Sequence, residues 1–468
     1  MYIHVVNAPS YVRADSPGNT AEFRAHMMHS GQFETLAGKW DLYIPFVELS
    51  VRLLAENGYS SLIIPDAFTH ADYAEASLNW LTANSYLSQI DYFPGLEIFE
   101  GVGVHSVIVT SQKQAAQRYR QRTFHSPTDY TELPFDTYPT TFRIDARPRI
   151  TGASPNSVLL SDVCYISVGI VGNSHEKLAY GEFEVADLLS PTKDAKHLKP
   201  YYEGKDIEKW RLTNLRWLEY GTDRSPAKWR RPAFPELFEG GPKIVAMRSP
   251  GLIPRNFLDK QGDYFNESAI GFKRWCDLKG VDNRSLSSTC KDKKIRAGFE
   301  QLSAAYSYSF LTAILNSRLL ACELNTDRRS NIHIYPDDYR GLYLPLVTPA
   351  QQIELETLAD QMLALTEQMQ TQTKQVAGLL QINLNLPRLT DKLLNWPALE
   401  WSGLLTELAK QKVGISLPKQ MEWQSFFEAQ RTQIQALQAA RTATDQQIDR
   451  LVYALYGLTD ADIALIEA

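Results

Sequence analysis

Strand-forming and helix-forming segments alternate along the first 115 residues, and this pattern constrains the fold more than any other feature of the chain. The helical segments are residues 40–58, where apolar side chains recur at helical spacing, and residues 71–85. The runs with the composition of buried strands are residues 2–6, residues 61–68, a run that begins at Ser88, and residues 102–112. Alternation at this pitch predicts an α/β fold with a mostly parallel sheet and right-handed crossovers.

The rest of the chain divides into three segments of different character. Residues 116–190 are mixed and polar, and they predict a junction of short strands with a small sheet of its own. Residues 191–347 combine short strands, Gly/Pro turns and one helix over 309–325, which predicts a mixed α+β domain. From residue 348 the pattern becomes helical.

Two heptad patterns characterise residues 348–468. The first seam consists of Leu355, Leu358, Met362, Leu365 and Met369. The second consists of Phe427, Ile434, Leu437, Ile448, Leu451 and Leu455. Two such helices on either side of a Pro- and Trp-containing insert predict an antiparallel hairpin, and a plain amphipathic helix pair fits the same spacing.

The charge of the chain is unevenly distributed. Its 48 Lys+Arg and 54 Asp+Glu give a formal net charge of −6, whereas residues 191–345 alone hold 27 basic and 19 acidic side chains. A basic segment in an acidic chain indicates a polyanionic partner.

Several classes of protein are disfavoured. No apolar run approaches the ~18 residues of a membrane span, and the first residues lack the basic and apolar regions of a signal peptide. The four cysteines have no metal-ligand spacing. We therefore expect a cytoplasmic protein with neither a metal site nor a membrane partner.

The first candidate site, Asn7-Ala8-Pro9-Ser10-Tyr11, directly follows the first predicted strand. In an Asn–Pro–Pro–aromatic turn, the Asn side-chain oxygen and a backbone carbonyl accept hydrogen bonds from an exocyclic amine, and the aromatic ring stacks on a flipped base. Here Ala8 replaces the first proline and Ser10 separates Pro9 from Tyr11. The pattern alone is therefore also compatible with a plain strand-to-loop turn.

Several segments, in order, resemble the C-terminal part of gamma-class N6-adenine DNA methyltransferases of restriction–modification systems, including the type IIG kind with a TaqI-like target-recognition domain. NAPSYVR is similar to the family's NPPYVR turn, and the segments at 40–73 and 90–113 resemble the elements that follow it. Later segments that resemble the family framework are YYEGKDIEKW (201–210), GPKIVAMRSPG (241–251), FLTAILNSRLL (310–320), YRGLYLPLVTPAQQ (339–352) and IDRLVYALYGLTDADIALIE (448–467).

This resemblance implies an architecture and a set of site residues. Residues 1–115 would be a partial methyltransferase catalytic core, the second half of a Rossmann-like sheet, and 116–190 a junction. Residues 191–347 would be the mixed α+β target-recognition domain, and 348–468 a helical hairpin or spacer. Asn7 and the Pro9 region would accept hydrogen bonds from the target amine, and Tyr11 would stack on the base.

The chain also departs from the family. The family's S-adenosylmethionine site lies upstream of the NPPY turn on a glycine-rich loop, whereas this chain begins almost at the turn. The G-x-G at 101–103 leads into a strand rather than a helix, and no PD…(D/E)xK nuclease signature is evident. We therefore expect the specificity-bearing subunit of a split enzyme, with the cofactor bound mainly by a methyltransferase partner; a nuclease subunit is a further candidate partner.

Double-stranded DNA is the expected ligand of the basic segment. Lys and Arg contact phosphates, and Arg also pairs with guanine. The side chains expected to contact DNA are Lys228, Arg230, Arg231, Arg248, Lys273, Arg274, Lys293, Lys294, Arg328 and Arg329. Three aromatic residues of the same segment suit stacking or wedge roles, namely Trp229, Trp275 and Tyr335. Each cluster taken alone is equally explained as a solvated surface turn.

Two other functions fit the same sequence. One is a non-catalytic DNA-recognition module of a restriction or phage-defence complex. The other is a protein-interaction scaffold in which the heptad hairpin binds a protein partner and the basic segment binds no ligand. DNA binding separates the first two functions from the scaffold, and methyl transfer with a partner separates the methyltransferase from the recognition module.

Overall fold

The computed structural model of this chain forms two compact units, Met1–Ile150 with Cys322–Tyr339, and Thr151–Ala321 with Arg340–Ala468. Among the helices it describes, none combines the length and the apolar character that a membrane crossing requires. The described residues are 3–7, 20–38, 40–71, 73–94, 96, 98–99, 105–113, 118–138, 142, 150–152, 154–171, 185–223, 225, 234–251, 253–326 and 333–467.

A six-stranded sheet in the order β1-β2-β4-β3-β5-β6 forms the centre of the first unit. Its strands are β1 (Ile3–Asn7), β2 (Tyr59–Pro65), β3 (Tyr86–Tyr92), β4 (Ser106–Gln112), β5 (Tyr119–Phe124) and β6 (Tyr130–Phe135). β1, β2, β3 and β5 run in one direction, whereas β4 and β6 run the other way. The four predicted strands are confirmed, but the prediction of a mostly parallel sheet is wrong, because three of the five neighbouring strand pairs described are antiparallel. β4 is reversed relative to β3, and no described helix separates the two strands.

One face of this sheet is covered by helices. The helices of the N-terminal segment are α1 (Thr20–His29), α2 (Tyr43–Arg52) and α3 (Glu75–Asn84). Alternate residues of β2 and β4, such as Leu62 and Val109, share a buried core with Val47 of α2 and Leu81 of α3. This alternation is what a strand with one covered face requires.

In the described part of the second unit, the strands form two four-stranded sheets and two short pairs. Its strands are β7 (Ser157–Leu159), β8 (Cys164–Val168), β9 (Leu189–Ser190), β10 (His197–Tyr202), β11 (Ile207–Glu208), β12 (Arg211–Leu212), β13 (Arg216–Glu219), β14 (Lys243–Met247), β15 (Asn256–Asp259), β16 (Tyr264–Phe265), β17 (Ala269–Arg274) and β18 (Tyr343–Pro345). The sheets are ordered β15-β14-β17-β8 and β16-β10-β13-β9, and the pairs are β11-β12 and β18-β7. Residues of both four-stranded sheets share one aromatic core, which includes Tyr202, Phe265 and Trp275.

The segment 116–190 contributes strands to both units. β5 and β6 extend the six-stranded sheet, whereas β8 pairs with β17 and β7 pairs with β18. Its described strands thus do not form the separate small sheet that the sequence predicts, because β5 and β6 join the sheet of the first unit through β3, and β7 and β8 pair with strands distant in sequence.

A buried ion pair stabilises one end of β14. The Lys243 ammonium lies 2.6 Å from the Asp259 carboxylate, and both side chains are almost fully buried. Lys243 also donates to the Phe238 carbonyl, and the Tyr202 hydroxyl donates to Asp259. A buried charge of this kind needs its partner, since an unpaired one is costly.

Helices form the remainder of the second unit. They are α4 (Leu160–Val163), α5 (Arg284–Thr289), α6 (Lys293–Ser303), α7 (Tyr308–Leu315), α8 (Arg318–Thr326), α9 (Pro336–Arg340), α10 (Pro349–Asn383), α11 (Asp391–Leu394), α12 (Trp401–Lys410), α13 (Leu417–Tyr456) and α14 (Asp460–Glu467), with α8 and α9 crossing into the first unit. The single helix predicted over 309–325 is wrong, because the chain breaks at Asn316 and Ser317. At this break the side-chain amide of Asn316 donates to the Asn256 backbone carbonyl (3.1 Å).

The long helices α10 and α13 confirm the predicted helical C-terminus, and they pair antiparallel. Met369 faces Arg441, and Gln372 hydrogen-bonds Gln430, so numbers fall along α13 as they rise along α10. The buried positions of α10 include Leu355, Ala359, Met362 and Thr366. Ala359 and Thr366 thus take the places predicted for Leu358 and Leu365.

Candidate nucleic-acid interface

The carboxyl ends of four strands meet at one edge of the six-stranded sheet. Asn7 is the last residue of β1 and is paired with Ile63 of β2. Ligands of open α/β sheets bind at this kind of edge. The predicted turn therefore begins where a site is expected, while Pro9, Tyr11 and the Asn7 side chain lie outside the described residues.

A buried carboxylate lies at the same edge of the sheet. Asp66 follows β2, is 9% exposed, and its backbone N–H donates to the His105 carbonyl (3.0 Å). This bond ties the end of β2 to the start of β4. The only sequence signal for Asp66 is its position directly after a strand.

Two residues predicted to contact DNA are buried in the second unit. Lys273 is 0% exposed, and its ammonium donates to the carbonyls of Gly240, Gly241 and Pro242 at 3.0–3.1 Å. The Trp275 ring is also buried, and its indole N–H donates to the Ser161 carbonyl (2.8 Å). These contacts do not support a phosphate contact for Lys273 or a wedge role for Trp275.

Arg274 and Arg248 are both partly buried. The Arg274 guanidinium pairs with Asp277 (3.0 Å), donates to the Tyr306 carbonyl (2.7 Å) and lies 4.6 Å from the centre of the Tyr308 ring. Arg248 donates to the Glu267 carbonyl at 3.3 Å. Intramolecular bonds therefore already occupy much of the Arg274 guanidinium.

Several other cations of the basic segment form ion pairs within the protein. The described ion pairs are Lys199–Glu239, Lys205–Glu203, Lys209–Asp445, Arg211–Glu208, Arg216 with Glu203 and Asp206, Lys243–Asp259, Arg296–Glu300 and Arg318–Asp449. The number of basic side chains in the segment therefore overstates the number of cations that are free to bind a ligand.

Five exposed cations lie between residues 279 and 294, a stretch that we call the basic strap. Its exposed cations are Lys279, Arg284, Lys291, Lys293 and Lys294, and none of them has an ion-pair partner among the described residues. Asp292 caps α6 by accepting from the backbone N–H groups of Lys294 and Ile295. Lys293 and Lys294 are thus exposed, as predicted, next to Lys291 of the same cluster, and the structure adds Lys279 and Arg284.

The remaining predicted contacts, Lys228, Arg230, Arg231, Arg328 and Arg329, lie outside the described residues, as does Trp229.

Replacing Lys273 by methionine tests its structural role. Burial, together with the nearby Lys243 ammonium, lowers the pKa of Lys273 from 10.5 to about 8. At pH 7 we expect a loss of about 1–2 kcal/mol in the free energy of unfolding, because three carbonyls lose their donor. We expect no change in DNA affinity.

The pH dependence of this effect has a definite sign. The folded state binds the Lys273 proton less tightly than the unfolded chain does. The free-energy cost of keeping Lys273 protonated in the folded state therefore has its full value below pH 8 and disappears as the pH approaches 10.5. Wild type should therefore gain stability relative to the variant between pH 7 and 9.5, as measured by denaturant unfolding. A folded Lys273→Met protein with weakened DNA binding would contradict the structural role.

Comparisons with known proteins point to one family over part of the chain. Residues 4–99 match the family model of the Eco57I restriction-modification methylase. The type II restriction enzyme and methyltransferase RM.Eco57I of Escherichia coli is 24% identical over 87 residues, which cover 19% of this chain and 9% of that protein. Residues 348–452 match a domain of unknown function, DUF8810.

Solved structures give long but distant alignments. The type IIL restriction–modification enzyme MmeI, solved in complex with DNA, aligns with 99% of this chain and 55% of its own, at 10% identity and a TM-score of 0.46. The type IIG restriction endonuclease BpuSI aligns with 97% and 54%, at 14% identity and a TM-score of 0.31. The chain therefore spans about half the length of these enzymes. Over residues 4–99 it is similar to restriction–modification methylases.

Proposed function

We propose that this chain is the specificity-bearing subunit of a split, site-specific DNA adenine-N6 methyltransferase in a restriction–modification or phage-defence system. The observation that carries this proposal is the methylase match over residues 4–99, which begins in β1 and includes the strand end at Asn7. That strand end is where the family resemblance puts the turn that holds the target amine.

The chemistry assigned to this chain is the presentation of adenine. The Asn7 side-chain oxygen and a carbonyl in the Pro9 region would accept hydrogen bonds from the adenine amine, and Tyr11 would stack on the flipped base. Both acceptors orient the nitrogen lone pair towards an electrophile. The chain would thereby position the nucleophile.

The methyl donor is assigned to a partner subunit. Restriction–modification methylases resembling this chain use S-adenosylmethionine, which a glycine-rich strand–loop–helix cradles. The described residues do not fit such a cradle at β2, because the turn that follows it is Asp66–Thr69, without glycine. β1 lies at the edge of the described sheet, and an edge strand presents backbone groups to which another strand can add.

DNA binding is assigned to the second unit through the basic strap. Five exposed cations in one short stretch suit contacts with successive phosphates, which give affinity without sequence preference. Arg248 and the predicted cations outside the described residues would supply further contacts.

A second candidate is a non-catalytic DNA-recognition module of a defence complex. One specific observation favours it: Ala8 and Ser10 interrupt the prolines and aromatic residue that fix the turn in the family. Such a module would bind DNA in a salt-dependent manner but would not support methyl transfer with any partner.

Product analysis tests the proposed reaction class. DNA treated with the assembled complex and S-adenosylmethionine is digested to nucleosides, which are separated and identified by mass spectrometry. We expect N6-methyladenosine in its deoxy form at one recurring sequence. Methylated cytosine in its place would contradict the assignment of the amine to adenine.

A further inference from the structure

Three aromatic rings pack in a row at the carboxyl edge of the six-stranded sheet. Phe93 follows β3, Phe124 ends β5, and Tyr130 begins β6 directly opposite Phe124. The rings of Phe93 and Phe124 are stacked, with centroids 4.9 Å apart and planes 28° apart. The Phe124 and Tyr130 centroids are 5.0 Å apart.

An anchored guanidinium extends this row. Arg122 lies 5.4 Å from the Phe124 centroid and 5.1 Å from that of Tyr130. Two of its nitrogens donate to the two oxygens of Asp91, each at 2.8 Å, and the Asp91 side chain is 5% exposed. The bidentate pair fixes the plane of the guanidinium, so the cluster is organised before any ligand arrives.

The cluster is closed at one end and open at the other. Phe93 is 9% exposed, whereas Tyr130 is 44% exposed. Arg120 is exposed. It lies on the same face of the sheet as Arg122, because the two residues are two positions apart on one strand. A flat ring approaching from solvent would meet Tyr130 and a fixed cation together.

We propose that Tyr130, Phe124 and Arg122 form a stacking site for a nucleobase of bound DNA. Bases of any sequence stack on aromatic rings, and arginine adds a cation–π contribution. Single exposed aromatic residues are common and need no ligand, but here three rings and a fixed guanidinium are packed together.

The base at this site differs from the one presented at Asn7. Three strands, β2, β4 and β3, separate β1 from β5. At the ordinary strand spacing this is about 19 Å, several times the size of a base. The site therefore holds a neighbouring or displaced base, and the inference rests on the proposed DNA-binding function.

The test uses the full chain and oligonucleotides that carry the fluorescent base 2-aminopurine, both single-stranded and in a duplex. Tyr130→Ala should raise the Kd about five-fold or more and reduce the quenching that stacking causes. Tyr130→Phe should retain both, while Tyr130→Leu, which keeps apolar packing without a ring, should behave like the alanine variant. Phe46→Ala, on α2 and 39% exposed, is the matched control and should bind like wild type.

Two outcomes would overturn this inference, and only the second would also overturn the proposed DNA-binding function. If Tyr130→Ala and Tyr130→Leu bind and quench like wild type, while replacement of Lys293 and Lys294 weakens binding, the stacking site fails and the DNA-binding function stands. If wild type binds neither oligonucleotide, both fail. Thermal unfolding of each variant confirms that the compared proteins are folded.

Discussion

Replacing Asn7 by alanine is expected to abolish methyl transfer by the assembled complex, with a rate loss of at least about 100-fold. The reason is that the amide oxygen at the end of β1 is one of the two acceptors assigned to the adenine amine. A preorganised hydrogen-bonding group aimed at developing charge typically contributes about 10²–10³ in rate. The measurement is the single-turnover rate of methyl transfer at saturating DNA.

Asn84→Ala provides the matched control for this substitution. Asn84 is exposed at the end of α3, where its amide donates to the Trp80 carbonyl. The control should methylate at the wild-type rate, and Asn7→Ala should still bind DNA, because the basic strap lies in the other unit. An unchanged rate for Asn7→Ala would remove Asn7 from the mechanism.

Replacing Lys293 and Lys294 together by alanine is expected to weaken DNA binding about 60-fold at 0.1 M salt. Each phosphate contact contributes about 0.9 to the slope of log K against log salt, so two contacts remove about 1.8. At 1 M salt the variant and wild type should bind equally, because only the non-electrostatic part of binding remains and it is unchanged. Over the tenfold decrease to 0.1 M salt, a slope difference of about 1.8 then separates their affinities by about 60-fold. Fluorescence anisotropy of a labelled duplex over a salt series measures both quantities.

The matched control removes the same charge from the helical C-terminus. Lys374 on α10 and Lys419 on α13 are exposed, and the double alanine variant should bind with the wild-type slope. A variant at 293 and 294 that binds like this control would contradict the role of the basic strap. A flat salt response of wild type would contradict DNA binding through phosphates altogether.

Local patterns made much of the fold predictable. The first four strands of the first unit and both long C-terminal helices follow from apolar periodicity, which depends on each segment alone. β5 and β6 were not predicted. The choice of buried residues along α10 depends also on helices distant in sequence. The N-terminal half of α10 packs against α7 as well as α13, so Ala359 and Thr366 are buried where a two-helix seam predicts Leu358 and Leu365.

The candidate site was less predictable, because burial of a charged residue depends on distant partners. Lys273 occupies a strand position like any other, and only the turn at Gly240–Pro242, more than thirty residues earlier, gives its ammonium three acceptors. The break between α7 and α8 likewise depends on Asn256, sixty residues before Asn316. Lys293 and Lys294, whose exposure follows from their position in the first turn of α6, were predictable from local sequence.

The measurement that tests the central claim most directly is transfer of tritiated methyl groups from S-adenosylmethionine to mixed-sequence DNA. It compares this chain alone with the chain co-expressed with the product of the adjacent upstream reading frame. Transfer by the mixture and by neither protein alone is the result we predict. Salt-sensitive DNA binding without methyl transfer in the mixture would contradict the methyltransferase assignment and leave a recognition module.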